Sequence, residues 1–281
     1  MEPLATLLHH HAIDTSGLTR LPVSTSAPLY HLPIPFAQRA SVWITLRDLA
    51  EETGHWPVLV DDMYGVTRAV ERAAQQNPRT ILDDAATLDP LVFMLAGTTY
   101  THLPKPTEVI IDVLTALEQE YDYRDGDFIS YHALRAEAET ALTTDALWIR
   151  PTALPLIEQL GLETARPHAD TEVTPANIIL APTTRCWEVA AFIPEYPATP
   201  TADAATSVQL LQDWHTRYGA EVVKIGWSTL TLRATRPPLK PDQALVLAWE
   251  HTQYCPDIST LDIVQRAVEL TQGKAWSFWW D

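Results

Sequence analysis

The chemistry in this chain concentrates at Glu250, His251, Tyr254, Cys255 and Asp257. His251 and Cys255 are four residues apart, and on a helix that spacing shares a face. A cysteine beside a histidine is the composition of a thiol nucleophile. The surroundings argue against that use. Pro256 closes the run, so Cys255 falls at a helix C-terminus, and Glu250 and Asp257 stand close in sequence. Activated thiols prefer helix N-termini and cationic neighbours. The plainer reading is a buried cysteine followed by a capping turn at Pro256-Asp257.

Glu250 has two arginines to choose from, Arg217 and Arg236, with Trp214 three residues before the first. A bidentate arginine–carboxylate link would organise a core, and the competing reading is a clamp for a small anion. His9, His10 and His11 are adjacent, so on a helix they point apart and cannot all ligate one ion. His215 and His251 are lone helical histidines, for which core or surface roles are commoner. No Cys/His spacing matches a zinc finger. Glu118–Phe128 packs five acids, three aromatics and one arginine into eleven residues. Glu118, Glu120, Tyr121, Asp122, Tyr123, Asp125 and Asp127 suit a basic protein surface: tyrosines supply contact area and carboxylates supply steering. A solvated helix end turning at Gly126 explains the same residues more plainly. Asp122, Asp125 and Asp127 fail calcium-loop spacing. No Gly-x-Ser-x-Gly, phosphate-cradling loop, dinucleotide glycine fingerprint or His-Glu-x-x-His occurs. No residue is assigned a catalytic role, and no metal or cofactor is expected.

Charge narrows the partners. The chain carries net −17, of which residues 1–170 hold −13 and residues 171–281 hold −4. Phosphate contacts need Lys and Arg, so nucleic acid is not expected as a partner. A basic protein would be steered toward the acidic part; acidity also keeps a protein soluble. No apolar run reaches the roughly 18–20 residues that cross a bilayer. The opening MEPLATLLHHHAID lacks a basic n-region and a small-residue cleavage site. With only Cys186 and Cys255, a disulfide scaffold is not expected. A cytoplasmic location with free thiols is the expectation.

The elements that must position these residues follow from periodicity. Helices are expected at 1–12 and at 38–53, where Gly54 is a C-cap. Extended segments are expected near Leu18–Val23 and Leu29–Leu32, and a buried strand at Trp56–Val60. From 64 to 162 the pattern is largely helical: 64–76, 88–96, 107–120, 131–143 and 152–160, with Pro78, Pro90, Pro104, Pro106 and Pro151 separating or opening the helices. The polar stretch 165–175 marks a boundary between parts 1–170 and 171–281. Beyond it, strands are expected at Asn177–Leu180 and Trp187–Ile193, joined by a turn around Pro182–Arg185. A helix follows at Ala204–Tyr218, then a hairpin of Glu221–Ile225 and Thr229–Ala234 across Gly226–Ser228. Helices at Pro241–Tyr254 and Leu261–Thr271 and a strand at Ala275–Trp280 complete the chain. In that strand Trp276, Phe278 and Trp280 share one face and Trp279 takes the other.

The blocks Trp214-x2-Arg217-Tyr218-Gly219-Ala220-Glu221, Arg236-Pro237-Pro238, Glu250-x3-Tyr254-Cys255-Pro256-Asp257 and Trp276-x-Phe278-Trp279-Trp280-Asp281 resemble the bacterial Domain of Unknown Function 4253 family. They arrive in that family's order and near its spacing across residues 177–281. Gly54-x2-Pro57-x-Leu59 resembles a strand found upstream in such proteins. One departure stands out. Where family members often carry a Gly-Gly-Trp-Asn-like turn, this chain has Ile193-Pro194-Glu195-Tyr196-Pro197. A ligand held by that turn elsewhere is not implied here. By analogy with small acidic bacterial families read as toxin-immunity proteins, the resemblance implies a binding role.

The expected fold is α+β, a mostly antiparallel C-terminal sheet with helices packed on one face, preceded by a largely helical N-terminal region. The expected function is a non-catalytic module that binds a basic protein, of immunity type. The alternative is an enzyme or small-ligand protein with a cleft around Trp214, Arg217, Glu250 and Tyr254. The sequence assigns no oligomeric state.

Overall fold

The computed structural model describes residues 2–22, 28–60, 66–67, 70, 77–123, 154–162, 176–193, 202–226, 228–273 and 275–280. The chain is α+β. Its N-terminal part supplies α1 (Glu2–His10), β1 (Thr19–Arg20), β2 (Tyr30–Ile34), α2 (Arg39–Asp48), α3 (Ala50–Thr53) and β3 (Trp56–Val60). Three helices follow: α4 (Pro78–Ala85), α5 (Pro90–Leu95) and α6 (Pro106–Tyr123). After α7 (Leu156–Gln159) come β4 (Ala176–Ala181), α8 (Val189–Phe192), α9 (Ala204–Tyr218), β5 (Ala220–Ile225) and β6 (Thr229–Ala234). The chain closes with α10 (Pro241–Tyr254), α11 (Ile263–Thr271) and β7 (Trp276–Trp279).

Local chemistry accounts for most boundaries. Asn77 and Asp89 cap α4 and α5 by accepting from the Arg79 and Leu91 amides, and Pro78 and Pro90 fill first helical positions that need no donor. Pro78 therefore opens α4, a helix that the expected set left out between 64–76 and 88–96. Asp203 caps α9 through the Thr206 amide. Gly54 and Gly219 end α3 and α9 at φ 69° and 61°, a conformation that disfavours a Cβ. The expected helix 38–53 is broken at Leu49 into α2 and α3.

One expectation fails outright. Residues 187–193 are not a strand: Cys186–Glu188 is a 3-10 turn and Val189–Phe192 a helical turn. A short, largely apolar run has the same periodicity in a buried strand and a buried helix. Local polar contacts decide it. Thr183 Oγ1 donates to Glu188 Oε2 at 2.5 Å, and Arg185 donates to Glu188 Oε1 at 3.1 Å, which winds the chain before Val189. The expected helix 131–143, the loop 165–175, residues 194–197 and nearly all of 64–76 lie outside the described residues.

One seven-stranded sheet runs through both parts of the chain, in the order β1-β2-β4-β3-β5-β6-β7. All neighbours are antiparallel except β3 and β5. β4 comes from beyond residue 171 yet lies between two N-terminal strands, and β3 joins it to β5. Strands β3 and β4 are buried along their whole length, which requires cover on both faces.

The pleat shows what covers each face. Val222, Leu232 and Trp276 stand side by side across β5, β6 and β7. On their face, Trp214 of α9 meets Trp276 and Phe278, and His251 and Tyr254 of α10 meet Phe278. The neighbouring row, Glu221 and Arg233, points the opposite way, toward Arg47 of α2. So the C-terminal helices α9 to α11 do share one face, and the N-terminal part covers the other. Gly161 also packs on that second face, at φ 63°, where a Cβ would stand 2.6 Å from the Thr231 methyl. Where the β5–β6 register slips between Val222 and Lys224, the Trp56 indole donates to the Val222 carbonyl at 2.9 Å. Trp43 of α2 donates to the Pro57 carbonyl at 3.0 Å.

Strand β7 bears out the expected alternation. Trp276, Phe278 and Trp280 are 1%, 1% and 5% exposed, and Trp279 is 51% exposed. Losing one buried aromatic ring costs about 3–5 kcal/mol. A domain holds about 5–15 kcal/mol in all. Deletion of residues 276–281 is therefore expected to abolish the cooperative thermal transition seen by circular dichroism. Trp279→Ser is expected to shift stability by less than about 0.5 kcal/mol. A truncated protein that melts like the full chain would show that these rings are not core.

Candidate functional site

The candidate cluster forms where α9 crosses α10. Asp213, Trp214 and Arg217 lie on adjacent turns of α9, and Glu250 faces them from α10 with 1% exposure. Arg217 Nη1 donates to Glu250 Oε1 at 2.9 Å and Nη2 to Oε2 at 2.5 Å. The Trp214 indole adds a third donor to Oε2 at 2.9 Å. On its outer side Arg217 donates through Nε to Asp213 at 2.8 Å and through Nη2 to the same oxygen. Its Nη1 also donates to the Tyr218 hydroxyl at 3.4 Å, and the guanidinium lies 5.0 Å from that ring's centre.

This network is saturated. Both Glu250 oxygens have donors, and the planar fork of Arg217 is spent on two carboxylates. Burial disfavours the Arg217 charge, but Glu250 and Asp213 more than offset it and hold its pKa above the ordinary value. Burial raises the Tyr218 phenol, against the pull of Arg217. Arg236, the other sequence candidate, goes elsewhere: it donates to the His215 and Thr216 carbonyls at 3.1 and 2.9 Å and so caps the C-terminus of α9. Tyr254 stands 3.5 Å from the Ser207 hydroxyl, its ring edge-on to Trp214, Phe278 and Trp280.

His251 and Cys255 do not meet through their side chains. The Cys255 thiol donates to the Trp279 carbonyl at 3.0 Å, and burial together with Asp257 pushes its pKa up. Asp257 is exposed in the turn after Pro256. His251 is 0% exposed, ringed by Trp214, Trp276 and Phe278 at centroid distances of 4.9, 5.0 and 4.7 Å. Its Nδ1 accepts from Arg266 Nε at 3.3 Å. That contact fixes the tautomer with the proton on Nε2, which is buried with no hydrogen-bond partner. Burial, then Arg266 and Arg217, hold the His251 pKa well below its ordinary value.

Two polar contacts here escaped the sequence reading. Cys186 Sγ lies 3.3 Å from His215 Nδ1, joining the turn before α8 to α9. Both groups also turn to the Ala220 carbonyl, the imidazole at 2.9 Å and the thiol at 3.5 Å. Burial and then Glu221 raise the Cys186 pKa, so this pair is not an activated thiol. On the other face of the sheet, Glu221 lies between Arg47 and Arg233 at 3.6 and 3.7 Å. Burial raises its pKa against the pull of both arginines. Segment 186–188 carried no motif, and the block Trp214–Glu221 gave no sign of these contacts; only spatial proximity joins the residues.

Of the residues expected to face a basic partner, Glu118, Glu120, Tyr121, Asp122 and Tyr123 belong to the last turns of α6. Asp125 and Asp127 lie outside the described residues. His9 and His10 end α1, with His11 just beyond, all exposed. Among the described residues, no group of three or more His, Cys, Asp or Glu is arranged to hold a metal ion. No helix among them is long and apolar enough to cross a membrane.

Residues 177–281 match the family model described as Domain of unknown function (DUF4253), so the C-terminal module is a member of that family. No curated protein and no solved structure matches the chain.

Removing one partner of a buried ion pair costs about 3–5 kcal/mol, whereas replacing both by apolar groups costs far less. Glu250→Gln is therefore expected to lose much of the protein's stability in urea, and Arg217→Met with Glu250→Leu to recover at least half of that loss. Equal losses in the two would show that the pair is not the anchor. His251 gives a second expectation. Its folded pKa lies below the unfolded value near 6.5, so only the unfolded chain takes up a proton as the pH falls. Stability is full above about pH 6.5 and falls below it by up to about 1.4 kcal/mol per pH unit. Urea midpoints at pH 7 and pH 5 should differ more in the wild type than in His251→Gln. Identical pH dependence in the two proteins would show that His251 titrates freely.

Proposed function

We propose that this protein is a non-catalytic binding module of immunity type, bacterial and cytoplasmic, whose partner is a basic protein. The observation that carries this reading is the division of charge. Residues 1–170 hold net −13 and residues 171–281 hold net −4. Acidity thus lies mostly in the part that precedes the family module. A field of that sign raises the encounter rate with basic proteins and repels nucleic acid.

The chemistry of the module supports the same reading. Trp214, Arg217, Glu250 and Tyr254 hold one another or pack together, and none presents an unused donor to a ligand. Both cysteines are buried thiols with raised pKa values. The alternative, a cleft enzyme built on those four residues, finds no such support.

Affinity capture with the full chain at low salt, in extract from its native host, is expected to retain a basic protein. Reconstituted from pure components, that complex should weaken by at least about tenfold as salt rises from about 50 to about 300 mM, because screening shortens the reach of surface charge. Retention of a small metabolite with no protein partner would overturn the reading.

A further inference from the structure

Arg266 of α11 joins a buried imidazole to the open edge of the sheet. Its Nε donates to His251 Nδ1 at 3.3 Å, and its Nη2 donates to the Ser277 carbonyl of β7 at 3.0 Å. Beside it the buried Cys255 thiol donates to the Trp279 carbonyl, the next one along the same edge. Arg266 and Cys255 stand close enough to interact electrostatically. One guanidinium thus covers both an edge carbonyl and the neighbourhood of a thiol.

This arrangement holds only while His251 is neutral. Nδ1 must accept in order to hold Arg266, and a proton there sets donor against donor and cation against cation. Nothing nearby takes up the difference. His251 Nε2 is buried with no hydrogen-bond partner. The Phe278 ring, 4.7 Å from the imidazole, already faces the Arg266 guanidinium at 5.5 Å. The charged and titratable groups around His251 come from three helices. α9 brings Arg217, paired with Asp213 and Glu250, and Tyr218. α11 brings Arg266 and Glu269, 3.8 Å apart. α10 itself carries Glu250, Tyr254 and the adjoining Cys255. From β7 come Trp276 and Phe278, which do not titrate. Burial, then Arg266 and Arg217, oppose a charge on the imidazole.

We propose that His251 and Arg266 form an acid-released latch: protonation of His251 drives the Arg266 side chain into solvent and bares the Ser277 carbonyl and the Cys255 thiol, while β7 stays paired with β6. The movement is small. The Arg266 side chain is already 12% exposed, and Glu269 lies on its more exposed side. Water entering the vacated space hydrates Nδ1. The strand itself stays, because Trp276 and Phe278 are buried in the core. Acid thereby opens an edge that neutral pH keeps closed, and an open edge offers its carbonyls to another strand. The latch goes beyond the basic-partner reading and does not depend on it.

Each pH unit below about 6.5 favours the released form about tenfold, because only that form takes up the proton. The test is modification of the full chain by 4,4′-dithiodipyridine, followed at each cysteine by peptide mass spectrometry. Each rate is divided by that of the same thiol in denatured protein at the same pH. From about pH 7.5 to about pH 5.5, Cys255 is expected to become about tenfold more reactive. Cys186 contacts His215 and the Ala220 carbonyl instead, so it reports global unfolding. It is expected to change less than about twofold. His251→Gln keeps an acceptor for Arg266 but takes up no proton, and its Cys255 is expected to respond less than about twofold. Parallel exposure of both cysteines in the wild type overturns the latch, because acid then unfolds the whole protein. So does a Cys255 that does not respond to pH, and so does an equal response in His251→Gln, which would move the switch to a neighbouring carboxylate. The comparison of the two thiols within the wild type decides the matter even where His251→Gln does not fold.

Discussion

A carboxylate with 1% exposure must be fully paired, and at Glu250 that requirement organises the C-terminal module. Its three donors all come from α9, so α10 can dock in one register only. Trp214 is held by its indole N–H, and its ring then lies parallel to Phe278 at 5.6 Å. Tyr254 and His251, one helical turn and one residue beyond Glu250, close around the same rings. A site built to bind a ligand keeps some hydrogen-bonding capacity in reserve. The Trp214–Arg217–Glu250 contacts use their capacity internally and so read as a clamp between helices, while beside them His251 Nε2 and Trp276 Nε1 are buried without a hydrogen-bond partner.

The end of the sheet depends on that clamp. Strand β7 has β6 on one side and no strand on the other among the described residues. An open edge invites pairing with another chain. Here two carbonyls of the same edge are occupied by side chains: Ser277 accepts from Arg266 at 3.0 Å and Trp279 from the Cys255 thiol at 3.0 Å. Cys255 thereby acquires a structural task that accounts for its place beside the aromatic tail. Arg266 serves twice, on Ser277 and on His251, which ties the neutral state of a buried imidazole to the placement of the last strand.

The N-terminal part is not an appendage to the family module. It contributes β1, β2 and β3 to the shared sheet and sets α2 over the face that α9 to α11 leave uncovered. Buried strands cannot keep one face in water without losing the apolar burial that holds them. The matched residues 177–281 thus include β4, which is flanked on both sides by strands from outside the match.

Elements with strong local signals were legible in the sequence. The helix Pro241–Tyr254, the strand Trp56–Val60, the caps at Gly54 and Gly219 and the one-sided burial of Trp276, Phe278 and Trp280 all follow from period, turn residues and side-chain alternation. Residues 187–193 were not legible, because a short apolar run has no period of its own and the Thr183–Glu188 contact that winds it is a matter of geometry. Choosing Arg217 over Arg236 for Glu250 likewise needed the crossing of α9 and α10. The insertion of β4 between β2 and β3 pairs Tyr30 with Leu180 and Val60 with Asn177. Such pairing joins residues far apart in the chain, and no local pattern encodes which strand lies beside which. By itself the sequence determined the elements, the charge and the family of the module, since those depend on neighbours along the chain. Only the tertiary structure decided that the two parts share one sheet and that the best candidate site is filled, since both are set by what packing brings together.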